Sequence, residues 1–299
     1  MRRPVDKLNA MAIFVRVVER GSFSAVAREL RTSQPTISKI LKALEVELGG
    51  KLIARSTRQL SLTDEGQRYY AQCRQILAAV DNAEHSFQSG REQVAGSLRI
   101  GSSVSFGRLQ IASRLPDFLA RYPQLEIDLQ LSDQNQDLVE EGLDVSLRIG
   151  ELGDSNLIAR RIGDTRRITV ASAAYLARRG EPQTPEQLSE HNCLQFNLLS
   201  SQNLWHYEKD AQHYSVRIKG NAQSNNSEAI REMVLGGLGI ALSPVWLFAE
   251  DLQAGRVMAI LPDYQTQSLP IHAVFPANRR QSARVKAFVD YMSEALLSD

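Results

Sequence analysis

Four side chains in the segment Ser33 to Lys42 have the chemistry to read a DNA duplex. Gln34 and Ser38 can hydrogen-bond base edges, while Lys39 and Lys42 suit guanine edges or phosphates. A helix is the element that fits the major groove, and a helix is what this segment's pattern predicts. Ile37, Ile40, Leu41, Leu44 and Leu48 recur at helical spacing and form one apolar stripe to bury, which turns the polar group outward. Ser33 can cap the start, and Pro35 is tolerated in a first turn whose N–H groups lack intrahelical partners. An ordinary amphipathic surface pair would show the same stripe, so the rest of the chain has to separate the two readings.

Catalytic chemistry finds little support. Gly101 to Gly107 lacks the Gly-x-Ser-x-Gly nucleophile spacing, because Ser105 stands where the second glycine belongs. The run at Gly236 to Gly239 is not completed as a dinucleotide loop, and no Gly-Lys-Ser/Thr phosphate loop exists. His85, His191, His206, His213 and His272 are scattered without metal-ligand spacing. Cys73 and Cys193 are the only cysteines, too far apart in sequence for a zinc pattern, and they fit a reducing cytoplasm. No cofactor is expected. The N-terminal apolar run is cut by Arg16 with no small-residue cleavage site after it, and no run approaches the length of a membrane span.

Around the reading helix, Gly21 to Arg58 is laid out as two short helices, a tight turn and a small basic wing. The preceding helix, about Ser24 to Leu30, is expected to turn Ala27 and Leu30 inward, with Ala25 and Ala27 allowing close approach. Before it, Val5 to Glu19 forms a helix with Leu8, Met11, Ala12, Val15 and Val18 on one face. Ile13, Phe14 and Val17 widen that apolar surface, so it should pack on more than one partner. Twelve Lys and Arg stand against seven Asp and Glu from Met1 to Gly66, a net of about +5, which leaves about −4 for the remainder of a chain whose total is +1. A basic head on an acidic body marks the end that meets phosphate.

At this point the segment resembles a known family. Gly21 to Gly66 is similar to the winged helix-turn-helix of the LysR-type transcriptional regulators, through Ser-Gln-Pro-Thr-x-Ser-Lys at Ser33 to Lys39, Leu-Gly-x-x-Leu-x-x-Arg at Leu48 to Arg55 and Leu-Thr-x-x-Gly at Leu62 to Gly66. Ile53 departs from the family's usual Phe, and Gly50 beside Gly49 is a second departure. The resemblance implies double-stranded DNA as a partner. The expected DNA-binding set is Ser33, Gln34, Pro35, Thr36, Ser38, Lys39 and Lys42 on the helix, with Arg55 and Arg58 on the wing.

After the wing, Thr63 and Asp64 mark a new helix that continues to about Gln88. Along it Tyr69, Cys73, Ile76, Val80, Ala83 and Phe87 alternate spacings of four and three, the seam of a coiled coil. A helix lying on its own domain would show a similar stripe. The family resemblance, in which this linker helix pairs two subunits, implies a homodimer or homotetramer. Ser89 to Gly96 is polar, flanked by glycines, and reads as a hinge.

Beyond the hinge, strands and helices alternate, which points to a parallel sheet with crossover helices. Strands are expected at Leu98 to Gly101, Leu125 to Leu131 and Val145 to Ile149, with helices at Phe106 to Tyr122 and Gln136 to Glu141. A second unit, about Thr165 to Gln267, carries strands near Arg167 to Ala171, Leu194 to Phe196 and Ser215 to Lys219. The helix Ser227 to Leu235 follows and leads into the glycine-broken strand from Gly236 to Pro244. Ile271 to Phe275 and the helix Ser282 to Leu297 return to the first unit.

This body is similar to the effector-binding domain of the same family, itself built like the periplasmic binding proteins. The phrases that carry the likeness are Asp144 to Gly150, Leu157 to Gly163 and Gly236 to Pro244. The expected fold is an N-terminal all-α winged helix-turn-helix joined to a two-lobed α/β periplasmic-binding-protein-like domain. Its divisions are a head at 1–63, a linker helix at 64–90, a hinge at 91–96 and an effector domain at 97–299. Lobe I takes 97–163 and 269–299, and lobe II takes 164–268, with crossings near Gly163 and Gln267.

A ligand should bind between the lobes, where strand ends and helix starts converge. Ser102 and Ser103 end a strand before a helix and can hold an anion, though they serve equally as helix caps. Arg148 can add charge or make a strand-edge ion pair. By resemblance, Ile149, Asn197, Asn225 and Ser227 join the effector candidates, with turn and cap duties competing at the last two. A small acid, an aromatic compound or a sugar acid would each suit such a cleft. Two functions remain: a transcription regulator responding to a small-molecule effector, or a solute-binding module with a DNA-binding head and no regulatory output.

Overall fold

Local capping and apolar spacing set the first helices. The computed structural model describes residues 6–55, 60–88, 94–134, 137–198, 203–280 and 282–297. Asp6 caps α1 (Lys7–Arg20) by accepting from the Asn9 N–H, and Gly21, at φ 60°, closes it. Ser22 caps α2 (Phe23–Glu29), and Ser33 caps α3 (Gln34–Leu48), which Gly49 ends at φ 71°. These are the left-handed C-terminal positions that glycine fills at least cost. The wing follows as an antiparallel pair, β1 (Ile53–Arg55) with β2 (Leu60–Leu62), and then α4 (Asp64–Gln88).

Two compact units divide the chain: the first is residues up to Gln93 with Asp137–Leu143, the second Val94–Gln136 with Asp144–Asp299. In the first unit α1 packs on α2, α3 and α4, as the breadth of its apolar surface suggests. Its core gathers Ile13, Phe14, Val17, Val26, Ala27, Ile37, Leu41, Leu44, Leu52 and Cys73. Each large side chain buried there is worth about 1.5–3 kcal/mol. Three expected core residues lie outside it: Leu8, Leu30 and Leu48 are 44%, 45% and 43% exposed, because each sits in an end turn beyond the helix crossings.

The expected coiled-coil seam is partly corrected. Tyr69 and Cys73 are packed into the head's own core, where the Phe14 ring lies 5.9 Å from Tyr69 and 6.3 Å, edge-on, from Tyr70. The start of α4 therefore lies on its own domain, and of the seam Ile76 stays exposed and Val80 half-buried. The side chains of Ala83 and Phe87 lie outside the described residues, as do Ser89 to Gln93 of the expected hinge. Gly96 already belongs to a strand. The expected helix from Gln136 to Glu141 is a turn over its described part. There Asp137 Oδ1 accepts from the Val139 and Glu140 N–H groups, a local bond that competes with helix. Gln75 Nε2 donates to the Val139 carbonyl at 2.6 Å, which ties this turn to α4.

The second unit holds two five-stranded sheets. Its strands are β3 (Gly96–Ser102), β4 (Leu125–Leu131), β5 (Val145–Ile149), β6 (Ile158–Thr165), β7 (Arg167–Ser172), β8 (Cys193–Phe196), β9 (Leu204–Lys209), β10 (Gln212–Arg217), β11 (Gln223–Ser224), β12 (Ile240–Pro244), β13 (Val257–Ile260), β14 (Gln265–Thr266) and β15 (Leu269–Phe275). Lobe I has the order β4-β3-β5-β15-β6 and lobe II the order β11-β8-β12-β7-β13. Neither sheet is wholly parallel, contrary to the alternation argument. β15 runs antiparallel to β5 and β6, and β7 antiparallel to β12 and β13, because the chain leaves one lobe and returns to it along neighbouring strands. The passages fall at Arg166 and between Thr266 and Leu269.

Two further differences have local causes. The expected helix from Phe106 to Tyr122 starts earlier, at Val104, and is broken. It runs as a π-turn over Gly107–Ile111, a 3-10 turn over Ala112–Arg114 and an α-helix over Leu115–Arg121, where Pro116 has no N–H to continue the ladder. A Cβ at Gly107 would lie 2.1 Å from Leu131 Cδ2, so that side chain would have to shift to admit one. The strand expected near Ser215 to Lys219 is present with earlier bounds, as β10, the second arm of a β9–β10 hairpin turned by Asp210 and Ala211 at φ 52° and 61°.

Candidate functional site

In the head, the turn before α3 is fixed by backbone. Thr32 N–H donates to the Ala27 carbonyl at 2.8 Å, and Arg31 takes a positive φ of 49°. Ser33 Oγ accepts from Thr36 N–H at 3.3 Å and bonds Thr36 Oγ1 at 2.8 Å, so both hydroxyls serve the cap. Gln34, Pro35, Thr36, Ser38, Lys39 and Lys42 are all exposed. No hydrogen bond or ion pair holds Gln34, Ser38, Lys39 or Lys42 among the described residues, so their donors and acceptors are open to an incoming duplex.

Other head cations are already paired: Lys7 with Glu47, Arg16 and Arg20 with Glu29, and Lys51 with Glu45. Arg28 and Arg31, exposed and without such partners among the described residues, sit beside the turn into α3 and join the phosphate-contacting candidates. Sequence reading counted them only as charge. Arg55 ends β1 but its side chain lies outside the described residues, and Arg58 lies outside them altogether.

The wing is tied to α3 by one carboxylate. Glu45 accepts from Lys51 Nζ at 2.6 Å and from the Leu52 and Ile53 N–H groups at 3.1 and 3.4 Å. Burial alone would raise its pKa, but these hydrogen bonds outweigh burial and hold it below the ordinary value. The other side of the wing is equally tight. Gly66 lies against the Leu52 carbonyl, where a Cβ would come within 2.0 Å, and its N–H donates to Thr63 Oγ1 at 2.9 Å.

In the body, a cleft of about 370 Å³ opens where the two sheets meet. That is within the size range of small-molecule sites. Of the expected effector residues, Ser102, Ser103, Arg148, Ile149 and Ser227 line it. Asn197 and Asn225 do not. Phe196 and Leu198 flank Asn197 and take the lining positions, while the Asn197 N–H donates to the Ser224 carbonyl. Asn225 is exposed, and its neighbour Asn226 is the residue that caps the helix Ser227–Leu235, a register one residue from that expected.

Ser102 is buried, with its Oγ 3.5 Å from the Leu147 carbonyl. Ser103 precedes the lobe I helix but makes no side-chain cap, because Asp133 Oδ1 takes the Val104 N–H at 3.0 Å. Asp133 Oδ2 accepts from Asn226 Nδ2 at 2.6 Å, and so joins lobe I to the capping residue of lobe II. Beside it Arg108 pairs with Glu228 at 2.6 Å. At the base of the lobes Trp246 meets Phe106 edge-on at 5.5 Å and donates from Nε1 to Thr165 Oγ1 at 3.0 Å.

Asp133, Arg167 and Trp246, all cleft-lining, were missed from sequence. The rule that picked Ser102 at the end of one strand would have found Asp133 after β4. Nothing local marks Arg167 or Trp246, which matter because of where the chain crosses between sheets. Among the described residues no cluster of His, Cys, Asp and Glu could hold a metal ion, and no helix is long and apolar enough to cross a membrane.

Comparison with known proteins covers both units. Residues 8–67 match the profile of the bacterial regulatory helix-turn-helix protein, lysR family, and residues 91–297 that of the LysR substrate binding domain. An HTH-type transcriptional regulator of Haemophilus influenzae is 37% identical over 94% of this chain and 98% of its own length. The regulator CrgA of Neisseria meningitidis is 35% identical over 96% of each. The solved structure of CrgA superposes with a TM-score of 0.61 at 34% identity, covering 96% of this chain and 98% of that one. The full-length Vibrio cholerae virulence activator AphB gives 0.59 at 28%, covering 95% and 98%.

Proposed function

We propose, on the premise that this chain belongs to the family of LysR-type transcriptional regulators, that a small molecule bound between its lobes controls how its heads engage DNA. The similar proteins of Haemophilus influenzae and Neisseria meningitidis are transcriptional regulators by name. The observation that carries the DNA half of the reading is the face of α3. Gln34, Ser38, Lys39 and Lys42 are exposed and uncommitted, while the neighbouring head cations Lys7, Arg16, Arg20 and Lys51 are neutralised. Gln34 and Ser38 read base edges, Lys39 and Lys42 take guanine edges or phosphate, and Ser33, Pro35 and Thr36 set the helix start against the backbone. Arg55 and Arg58 on the wing add phosphate contacts.

The cleft supports the effector half. Ser102, Ser103, Arg148, Ile149 and Ser227 offer polar and charged groups around a cleft lined from both lobes. A ligand acts only if it favours one lobe arrangement over another. The Asp133–Asn226 and Arg108–Glu228 links are the bonds such a change would remake.

The division of labour follows the sequence boundaries: head 1–63, linker helix 64–90, hinge 91–96 and effector domain 97–299. The chain acts in the cytoplasm as a homodimer or a pair of dimers, because one head offers few base contacts and a two-fold axis doubles them on an inverted repeat. Footprinting with the full chain on DNA flanking its own gene tests this. Protection of a defined sequence at physiological salt is expected, and uniform binding along the fragment refutes it.

A further inference from the structure

We propose that the cleft ligand is a small carboxylate monoanion whose charged end pairs with Arg167, at the crossing between the lobes, and not with the helix starts at Ser103 and Asn226. This rests on reading the cleft as the effector site. The place that strand and helix geometry reserves for an anion is already filled by the chain's own carboxylate. Asp133 accepts from the Val104 N–H at 3.0 Å and from Asn226 Nδ2 at 2.6 Å, and the Asn226 oxygen is used by the Ala229 N–H at 2.9 Å. A ligand carboxylate there would share the site with a like charge, which disfavours ionisation of both.

Arg167 lines the same cleft from the opposite element and is half-buried. Its Nε donates to the Gln267 carbonyl at 3.2 Å, and its two Nη groups have no hydrogen-bond partner among the described residues. Three other arginines with buried or half-buried side chains meet a carboxylate: Arg99 meets Asp128 at 2.7 Å, Arg231 meets Asp251 at 2.6 Å and Arg279 meets Asp144 at 2.9 Å. Arg167 meets none among the described residues. Burial pushes its guanidinium below the ordinary value, yet an arginine stays cationic at neutral pH, so a desolvated charge is left uncompensated. A carboxylate answers it with two parallel hydrogen bonds.

Leu242, Trp246 and Leu269 line the cleft with Arg167. The polar edge of Trp246 is spent on Thr165, which leaves apolar surface for the body of the ligand. The combination selects a compact anion with an apolar or aromatic frame over a polyol.

The test uses the full chain in thermal-shift and calorimetric titrations with acids paired to their own neutral amides at equal ionic strength: benzoate with benzamide, nicotinate with nicotinamide, phenylacetate with phenylacetamide. At least one acid is expected to bind about tenfold or more tighter than its amide. Arg167→Gln should weaken that acid about tenfold or more, and Arg167→Lys, which keeps the charge but loses the fork, about threefold or more. Asp133→Asn should change it by less than about threefold, whereas an anion seated at the helix starts would gain about tenfold on losing that repulsion.

No acid outperforming its amide overturns the proposal, as does an Arg167→Lys variant within about twofold of the parent, a readout that survives even if Arg167→Gln fails to fold. The two readings fail separately. A neutral ligand that shifts DNA affinity keeps the regulatory reading and sinks this one, while absent sequence preference in DNA binding sinks the regulatory reading alone.

Discussion

Asp251 is the carboxylate on which the cleft helix leans, and removing its charge should be costly. It is fully buried and accepts from Arg231 Nε at 2.6 Å, Arg231 Nη2 at 2.8 Å and Arg256 Nε at 2.7 Å. Arg231 belongs to the helix Ser227–Leu235, whose first residue lines the cleft. Asp251→Asn keeps the shape but sets an amide NH2 against guanidinium donors and leaves Arg231, whose side chain is 20% exposed, with Glu232 at 2.9 Å as its remaining carboxylate partner among the described residues. Breaking one side of such a buried pair costs about 3–5 kcal/mol. For a domain of this size each kcal/mol moves the midpoint by about 2–4 °C, so a fall of roughly 6–20 °C is expected. Tryptophan fluorescence reads it cleanly, because Trp205 and Trp246 are the chain's two tryptophans and both lie in the second unit. A midpoint within about 2 °C of the parent would refute the reasoning, since surface pairs shift stability by no more than about 1 kcal/mol.

The same carboxylate sets a pH response. Burial by itself would raise the Asp251 pKa, but hydrogen bonds from Arg231 and Arg256 outweigh it and hold the folded value below the unfolded one. Its stabilisation is thus complete above the ordinary carboxylate range and lost as pH falls through about 4 toward the folded value. The body's melting midpoint should stay level from about pH 8 to 5 and drop below about 4, with Asp251→Asn flattening that drop. In the head, Gly66→Ala should cost about 1–3 kcal/mol or more, because the new Cβ meets the Leu52 backbone; circular dichroism of the variant showing an unchanged head transition would contradict this. Burial pushes the Cys73 thiol up to about 11 and Cys193 up to about 12, so neither should react with a disulfide reagent at pH 8 until the chain unfolds. Arg28→Ala should weaken binding to all DNA alike and reduce the salt slope by about 0.9, measured by anisotropy across salt concentrations.

Much of the head was legible because its signals are local. Ser33 and Pro35 announce the start of α3, and the spacing of Ile37, Leu41 and Leu44 announces its buried side. The helix Ser227–Leu235 was placed to the residue for the same reason, since its apolar spacing and flanking Asn and Gly residues agree. The misreadings have non-local causes. Phe14 draws Tyr69 and Cys73 into the head core, so the first two positions of a seam that reads as an intersubunit face are spent within one chain. Pro116, which has no N–H to continue the ladder, interrupts a helix that apolar periodicity alone would continue.

In the cleft, strand ends pointed to Ser102, Ser103 and Arg148, but the register at Asn225 slipped by one. The loop after β4 supplied Asp133, whose partner Asn226 is remote in sequence and so invisible to spacing. Arg167 carries no local signal; its importance comes from the crossing between sheets and from the counter-ion it lacks among the described residues.

Selection of bound sequences from a random duplex pool by the full chain at physiological salt measures most directly whether the α3 face reads DNA. The account expects convergence on an inverted repeat with half-sites one helical turn or a multiple apart, and loss of preference at one position of each half-site in Gln34→Ala. A pool that stays random, or a Gln34→Ala variant that selects the parent's sequence unchanged, would contradict it.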